Sequence, residues 1–401
     1  MKKIISLLLI AVMMLSALVA CGGETEEPAK DKEELTIGLI CLHDENSTYD
    51  LNFINAMKDA QKALGLKDSQ IVYKYNIPEG AECTDAATDL VENYGCDIIF
   101  ANSFGHETFF MEAAKKYPDV EFCHATGTMA HTSDLKNFHN AFASIYEGRY
   151  LAGIAAGMKL NEMIEDGKIT ADQAKMGYVG AFPYAEVKSG YTSFYLGAKS
   201  VCPTVTMDVK FTDSWYDEVK EKESALALIE NDCVLISQHA DSMGAPNACE
   251  QAGVPNVSYN GSTVKACPNT FIVSSRIDWS PYYQYVYNAV KEDKEIADDW
   301  CGGIAEGSVV LTDINDKAAA AGTKDAIDTA IAAFKKGELH VFNTNNFTVA
   351  GEHITSFRAD VDTDPEYKAD TEVVEDGVFY ESKYRSAPYF TIDIDGITIL
   401  G

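Results

Sequence analysis

The sequence predicts an α/β protein with two doubly wound lobes, each a parallel sheet that carries helices on both faces. Short, almost wholly apolar strands alternate with amphipathic helices, which is the pattern of parallel sheets buried on both faces. The alternation runs twice along the chain. The 381 residues after Ala20 exceed the ~250–300 residues that one hydrophobic core usually serves. Two lobes are therefore expected rather than one large domain.

The first lobe is predicted over residues 35–127, together with about 261–290. Its opening run LTIGLICL is apolar throughout, as in a buried strand, and the next segment places apolar side chains every three or four positions, as in a helix. Later segments repeat this alternation. The predicted strands are Leu35–Leu42, Ile71–Tyr75, Asp97–Ala101 and Val120–His124, and the predicted helices are Asn52–Leu64, Thr84–Asn93 and Glu107–Lys116.

The second lobe is predicted over residues 128–260, together with about 291–359. Its strands MGYVGA and CVLISQ are again apolar, and Pro255 ends the preceding helix because proline cannot continue one. Gly153 and Gly157 lie within its first helix, where they favour close helix packing. The predicted helices are Tyr146–Met163, Ala185–Ala198, Glu218–Glu230 and Pro246–Gly253, and the predicted strands are Met176–Ala181, Val205–Phe211, Cys233–Gln238 and Asn256–Tyr259.

The segments beyond residue 260 return to both lobes and then leave them. Phe271–Ser274 is predicted to continue the sheet, and a helix is predicted from Pro281, a residue that suits a first helical turn, to about Ile296. Residues 360–401 are predicted to form a peripheral C-terminal extension. The β-forming run Ser382–Leu400 within it is predicted to be a hairpin.

The first twenty-one residues predict export and lipid attachment. Lys2 and Lys3 precede the apolar run Ile4–Val19, which is shorter than the ~20 residues of a membrane span, and a small residue precedes Cys21. We expect residues 1–20 to be a signal peptide, Cys21 to carry lipid, and residues 21–34 to be an acidic linker that cannot form a core. The protein would then be lipid-anchored on the extracytoplasmic face of the cell membrane.

Charge and cysteine usage limit the partners of the chain. A formal net charge of -30 disfavours nucleic acid and anionic lipid surfaces. After Cys21, nine cysteines remain, an odd set without a CxxC pair, so a disulfide framework is not expected. Three of these cysteines lie in apolar strands, where a thiol acts as a small hydrophobe: Cys41, Cys123 and Cys233.

Motifs of catalysis are missing from the sequence. No HExxH, GxSxG, P-loop or GxGxxG pattern occurs. Four histidines near predicted strand ends could suggest a metal site, but their spacing is not that of metal ligands, and such residues are usually hydrogen-bonded structural groups: His43, His106, His124 and His239. We therefore expect no enzyme activity, no cofactor and no metal.

The loops at the carboxyl ends of the predicted strands indicate where a ligand would bind. In open parallel sheets, ligands bind outside these strand ends. Here the loops are rich in aromatic, amide and carboxylate side chains, as in HDEN, NSFGH, SWYD and HADS. Two such sets facing each other would form a cleft for a flat, polar, uncharged molecule, stacked on rings and oriented by hydrogen bonds.

These segments also carry a family resemblance. The segments that carry it are NSFG from Asn102, YPDVEFCHATG from Tyr117, YEGRYLAGIAAG from Tyr146, GYVGAFP from Gly177, WYDEVKE from Trp215, QHADS from Gln238 and IDWSPYY from Ile277. In these segments the chain resembles the basic-membrane-protein (BMP) family of ABC-transporter substrate-binding lipoproteins, which includes purine-nucleoside receptors. The resemblance implies a type I periplasmic-binding-protein fold, with two lobes joined by a three-strand hinge. It also implies a purine nucleoside or base as ligand, an ABC permease as partner, and a monomer.

The resemblance and the strand-end rule together give the candidate ligand-binding residues. From the first lobe they are Asp44, Asn46, Tyr49, Ser103 and Phe104; from the second, Trp215, His239, Asp241 and Tyr259; and from the hinge region, Arg276 and Trp279. Two features depart from nucleoside receptors of the family, which place an Asp near Thr126 and a Lys where Arg276 stands. The departures put ribose recognition in doubt and leave a free base as an option.

Two other functions fit the same fold. One is a surface receptor or host-interaction lipoprotein without a transporter. The other is a binding protein for a sugar or another small polar ligand.

Overall fold

A computed structural model describes residues 34–364 and 366–401 of the chain. Residues 35–401 form one compact unit. The predicted signal peptide, Cys21 and all of the predicted linker but Glu34 lie outside the described residues. Within the described residues, no helix is both long and apolar enough to cross a bilayer.

The first sheet has six parallel strands in the order β11-β5-β4-β3-β1-β2. The strand bounds are β1 Ile37–Ile40, β2 Ile71–Lys74, β3 Ile98–Ala101, β4 Glu121–Ala125, β5 Phe138–Ala143 and β11 Asp299–Gly302. Four helices accompany it: α1 Thr48–Leu64, α2 Ala81–Glu92, α3 Glu107–Lys116 and α8 Ser280–Lys291. The strands β1 and β3 are wholly buried, as the apolar runs predict.

The second sheet has seven strands in the order β12-β10-β9-β8-β6-β7-β17, and only β12 runs antiparallel to its neighbour. The strand bounds are β6 Lys175–Gly180, β7 Thr206–Phe211, β8 Leu235–His239, β9 Asn256–Tyr259, β10 Phe271–Ile277, β12 Val309–Leu311 and β17 Ile397–Leu400. The helices of this part are α4 Ile145–Glu165, α5 Ala185–Val201, α6 Glu218–Glu230, α7 Gly244–Ala252 and α9 Thr323–Lys335.

The chain crosses between the two sheets three times. The crossings lie at Ser144, between β5 and α4; at Asp278, between β10 and α8; and at residues 303–308, between β11 and β12. Backbone hydrogen bonds connect them, from Ser144 N to Gly302 O at 2.9 Å and from Asp278 N to Ser308 O at 2.7 Å. The predicted fold class, two doubly wound lobes on a three-strand hinge, is confirmed.

The predicted lobe boundaries assign three strands to the wrong sheet. β5 and β11 belong to the first sheet, although residues 128–260 and 291–359 were assigned to the second lobe. β10 belongs to the second sheet, although 261–290 was assigned to the first lobe. Apolar periodicity identifies a strand but not its pairing partner, which long-range placement decides.

The helices α4 and α5 pack backbone to backbone through glycine. A Cβ on Gly153 would lie 2.0 Å from the carbonyl oxygen of Phe194, and one on Gly197 would lie 2.0 Å from that of Tyr150. No side chain fits at either distance. The predicted packing role of Gly153 is therefore confirmed, and α4 lies directly behind the second sheet.

The C-terminal hairpin prediction is wrong. Ile397–Leu400 pairs in parallel with β7 as an edge strand, and the preceding residues lie against the protein. Phe390 is fully buried, and its ring stacks on that of Phe342 at 4.3 Å. The alternating run looked like two strands, but tertiary packing buries its first half without strand pairing. Short antiparallel pairs do occur earlier, between β13 Arg358–Ala359 and β14 Thr371–Glu372 and between β15 Val374–Glu375 and β16 Val378–Phe379.

Candidate functional site

A cleft lies between the carboxyl ends of the strands of the two sheets. It has a volume of about 390 Å³, part of which is open to solvent. Its lining residues come from both lobes and are Leu42, His43, Tyr49, Ser103, Phe104, Thr126, Glu186, Trp215, His239, Asp241 and Tyr259. Rings and hydrogen-bonding groups therefore meet there from two sides.

Direct contacts between the lobes hold the cleft shut. The backbone N–H and the hydroxyl of Thr48 both donate to the carbonyl oxygen of Asp241, at 3.3 and 3.1 Å. The rings of His43 and Tyr216 lie 5.3 Å apart, and those of Phe104 and Tyr184 lie 5.7 Å apart. These contacts belong to the closed state and would be lost on opening.

Seven of the eleven predicted ligand-binding residues line this cleft. They are Tyr49, Ser103, Phe104, Trp215, His239, Asp241 and Tyr259. Tyr49 is placed by α1, which begins after Ser47 because the Ser47 hydroxyl accepts the N–H of Asp50 at 3.2 Å. The Tyr49 hydroxyl donates to the carbonyl of Asn102 at 2.6 Å, which fixes its ring at the cleft.

The other four predicted residues lie outside the cleft lining. The Asp44 carboxylate forms hydrogen bonds within its own loop, where it accepts from the backbone N–H and the side-chain amide of Asn46 at 3.0 and 2.8 Å. Arg276 lies at the hinge, 3.8 Å from a carboxylate oxygen of Asp278. Trp279 also lies at the hinge crossing, but it is a core residue, 1% exposed and stacked on Phe53 at 4.5 Å.

Trp215 belongs to an aromatic cluster at the cleft. Phe182 meets its ring at a T-shaped angle with centroids 5.2 Å apart, and Tyr184 lies 6.1 Å away. The Trp215 carbonyl accepts the N–H of Asp241 at 2.9 Å, so the backbone places both residues together. Trp215 lies two residues before Asp217, which caps α6 by accepting from Val219 N and Lys220 N.

Asp241 is a buried carboxyl among other carboxyls. One of its oxygens accepts from the side-chain amide of Asn260 at 3.4 Å. Burial raises the pKa of Asp241 well above its usual value, and the neighbouring Glu221, Asp50 and Glu186 raise it further. Both effects disfavour the charged form of the Asp241 carboxyl.

His239 connects the cleft to the protein interior. Its ring lies 4.4 Å from that of Tyr259, its Nε2 is 3.3 Å from Glu186 Oε1, and its Nδ1 is 3.4 Å from the Tyr178 hydroxyl. Burial lowers the pKa of His239, although Glu186 opposes that effect. The ring is therefore neutral at pH 7.

Four lining residues were not among the predicted ligand contacts: Leu42, His43, Thr126 and Glu186. His43 and Thr126 follow strands, so the strand-end rule could have selected them. Glu186 lies in the first turn of α5, directly after the loop that follows β6. An acidic residue in the first turn of a helix that follows a strand-end loop is the sequence feature that could have indicated Glu186 as a ligand contact.

Thr126 is held in a conformation that is rare for its residue type. Its φ is 71°, in the left-handed region that β-branched residues seldom adopt, and its N–H donates to Ala141 O at 2.9 Å. Its buried hydroxyl has no hydrogen-bond partner in the described part of the chain. Strain of this kind concentrates at functional sites, and the free hydroxyl lies at the cleft.

The histidines that suggested a metal site have structural partners. Nε2 of His106 lies 2.9 Å from the carbonyl of Ile77, and Nε2 of His124 lies 2.7 Å from that of Ser103. Across the described residues, no group of three or more His, Cys, Asp or Glu side chains is arranged to hold a metal ion. The nine cysteines from Cys41 to Cys301 are free thiols, and all but Cys301 are buried.

Comparisons with known proteins agree with this fold. The sequence model of the Bmp family, described as ABC transporter substrate-binding protein PnrA-like, matches residues 38–337. A purine-binding protein of Brucella abortus is 32% identical over 320 residues, which are 78% of this chain and 85% of that protein. A putative ABC transporter glucose-binding protein of Haloferax volcanii is 34% identical over 215 residues, 54% of this chain and 51% of that protein.

Among solved structures, an ABC transporter solute-binding protein from Aeropyrum pernix superposes with a TM-score of 0.63. It is 14% identical in sequence, and the match covers 80% of this chain and 94% of that one. At this identity the likeness supports the fold alone.

Proposed function

Because this chain belongs to the Bmp family of PnrA-like ABC transporter substrate-binding proteins, we propose that it carries a purine nucleoside or purine base to an ABC importer. The family is one of binding proteins, so the chain is not an enzyme. We further propose that Cys21 carries the lipid that holds the protein on the extracytoplasmic face of the membrane.

The single observation that carries the ligand proposal is the pairing of rings with hydrogen-bonding groups in one closed cleft. Tyr49 and Phe104 line the cleft from the first lobe, and Trp215 and Tyr259 line it from the second, together with the carboxyls of Glu186 and Asp241. A purine has a flat face for the rings and an edge with both donors and acceptors for the carboxyls. The name of the Brucella relative supports the same class.

A sugar is the second candidate ligand. The Haloferax relative is named as a putative glucose-binding protein, and carboxyls beside aromatic rings also suit sugar hydroxyls. The match to that protein is shorter than the match to the purine-binding relative. A direct comparison of the two ligand classes is therefore part of the test.

Transport would follow from the coupling of ligand binding to lobe closure. A ligand that contacts both lobes stabilises the closed state by its greater affinity for that state. The contacts of Thr48 with Asp241 and of Phe104 with Tyr184 would form at the same time. The permease would then accept the closed form and release the ligand by opening it.

The decisive experiment identifies what the protein binds. Ligand released from purified protein by denaturation is identified by mass spectrometry, and calorimetry follows with adenosine, guanosine, adenine and glucose. We expect a purine in the released fraction and heat of binding with at least one of the three purines. Heat with glucose alone would replace purine by sugar, and heat with none of the four would reject both ligand classes.

A further inference from the structure

A buried cation lies directly behind the cleft wall. Arg149 in α4 is 0% exposed, and within the described residues it makes no ion pair with a carboxylate. Its guanidinium donates to the Tyr178 hydroxyl at 3.1 Å and to the Ser237 hydroxyl at 2.8 Å, and the Tyr259 ring lies 5.1 Å away. A buried charge without a counter-ion lowers the stability of the fold, which indicates a specific role for Arg149 at this position.

The chemistry of arginine fixes the direction of the hydrogen bond to Tyr178. A guanidinium has only donors, so the Tyr178 oxygen must accept from Arg149. The hydroxyl proton of Tyr178 then points to its other polar neighbour, Nδ1 of His239, at 3.4 Å. Nδ1 of His239 is therefore an acceptor.

The other side of the His239 ring leads to the same assignment. The ring is neutral and carries one proton, so an accepting Nδ1 places that proton on Nε2. Nε2 faces the Glu186 carboxylate at 3.3 Å and can donate to it. The opposite tautomer would place a lone pair of Nε2 against a carboxylate oxygen, and a protonated Nδ1 could not accept the hydroxyl proton of Tyr178.

We propose that Arg149, Tyr178 and His239 form a one-way hydrogen-bond relay that holds Glu186 as an acceptor toward the ligand. The relay spans three elements of the second lobe, namely α4, β6 and the end of β8, and it ends at the first turn of α5. Glu186 Oε1 is used by His239, so Oε2 is the atom that meets the ligand. The proposal rests on the proposed function and adds a specificity rule to it.

The rule is that the cleft prefers a ligand edge with an amino group. An acceptor fixed by the relay favours a ligand with an N–H donor over an analogue that lacks it, because the partly buried carboxylate of Glu186 then lacks a donor. Asp241 lies outside the relay, and its carboxyl accepts from the side-chain amide of Asn260 at 3.4 Å. The positioning residue is Tyr178, which contacts no cleft space itself.

The first test uses the free protein and needs no ligand. Full-length protein labelled with [15N]histidine is examined by long-range 1H–15N correlation at pH 7, and the His239 signals are identified by their loss in His239→Gln. We expect a protonated Nε2 and an unprotonated Nδ1. In Tyr178→Phe we expect a mixture of both tautomers, whereas the control Tyr191→Phe, whose hydroxyl contacts Asp393 at 3.5 Å, leaves the signals unchanged.

A proton on Nδ1 in the unchanged protein would overturn the relay, whether or not any variant folds. An unaltered tautomer in Tyr178→Phe would overturn the role of Tyr178. Both results are independent of the ligand. Failure of the relay is therefore distinguishable from failure of the proposed function.

The second test measures specificity by calorimetry with two matched ligand pairs. Adenosine is compared with purine riboside, which lacks the 6-amino group, and guanosine with inosine, which lacks the 2-amino group. We expect the amino-bearing member of at least one pair to bind about tenfold or more tightly. This preference should fall to about threefold or less in Glu186→Gln and Tyr178→Phe and persist in Tyr191→Phe. An equal preference in all variants, or none in the unchanged protein, would refute the rule.

Discussion

Replacing Trp215 with alanine tests whether its ring is a stacking platform in the cleft. The substitution keeps the backbone bond from Asp241 N to the Trp215 carbonyl, so the carboxyl of Asp241 stays in place. Stacking of a base on an aromatic side chain contributes ~1–3 kcal/mol, which corresponds to a ~5- to 150-fold loss of affinity. Loss of the T-shaped contact with Phe182 costs a further ~0.5–1.5 kcal/mol of folding stability.

The assay is calorimetric titration with the purine that binds most tightly, together with chemical unfolding of each variant. Trp300→Phe is the matched control, because Trp300 packs on Tyr282 at 4.9 Å in the first sheet and does not line the cleft. Its affinity should equal that of the unchanged protein. A folded Trp215→Ala variant that binds within about twofold of the unchanged protein would refute the stacking role.

Three further predictions concern the cleft carboxyl, the helix packing and the pH dependence of stability. Asp241→Asn should weaken purine binding ~10- to 100-fold in calorimetry, because a buried hydrogen bond to an ionisable group contributes ~1.5–3 kcal/mol. An unchanged affinity would show that Asp241 makes no hydrogen bond to the ligand. In urea titrations, Gly153→Ala should lower the unfolding free energy by ~2 kcal/mol or more, because the new methyl group overlaps the Phe194 carbonyl. The control Gly261→Ala should be neutral or slightly stabilising, because its Cβ meets only Thr48, at 3.5 Å. Burial raises the pKa of Glu221 to about 7, so the folded state holds a proton that the unfolded chain releases, and the unfolding free energy should fall by up to ~3 kcal/mol between about pH 4.5 and pH 7. Urea titrations across this range should show a flatter pH profile for Glu221→Gln. A profile equal to that of the unchanged protein would contradict the raised pKa of Glu221.

Most secondary structure could be predicted because the pattern is local. The helices Glu107–Lys116 and Glu218–Glu230 begin and end at the predicted residues, and the apolar runs around Ile37–Ile40 and Ile98–Ala101 form wholly buried strands. The strand Phe138–Ala143 was not predicted, since its polar His139 and Asn140 interrupt the apolar run. Both side chains are buried through specific hydrogen bonds, to Glu121 and Glu107, that no local pattern reveals.

The cleft could be predicted in part because the strand-end rule selects loops rather than side chains. It selected Ser103, Trp215 and Asp241, which line the cleft. It also selected Asp44, which turns back on its own loop, and it passed over Glu186, which enters from a helix. Loop position predicts proximity to the site, but rotamers and neighbouring donors decide which side chains face it.

The class of architecture follows from the sequence, because apolar runs and helical periodicity are properties of neighbouring residues and are the same in any arrangement of the lobes. Tertiary structure alone decided which sheet Phe138–Ala143, Phe271–Ile277 and Asp299–Gly302 would join. It alone also brought Arg149 and His239, ninety positions apart in the chain, to opposite sides of one tyrosine hydroxyl. Hydrogen bonds of that kind depend on distances of a few tenths of an ångström, which only the packed molecule sets.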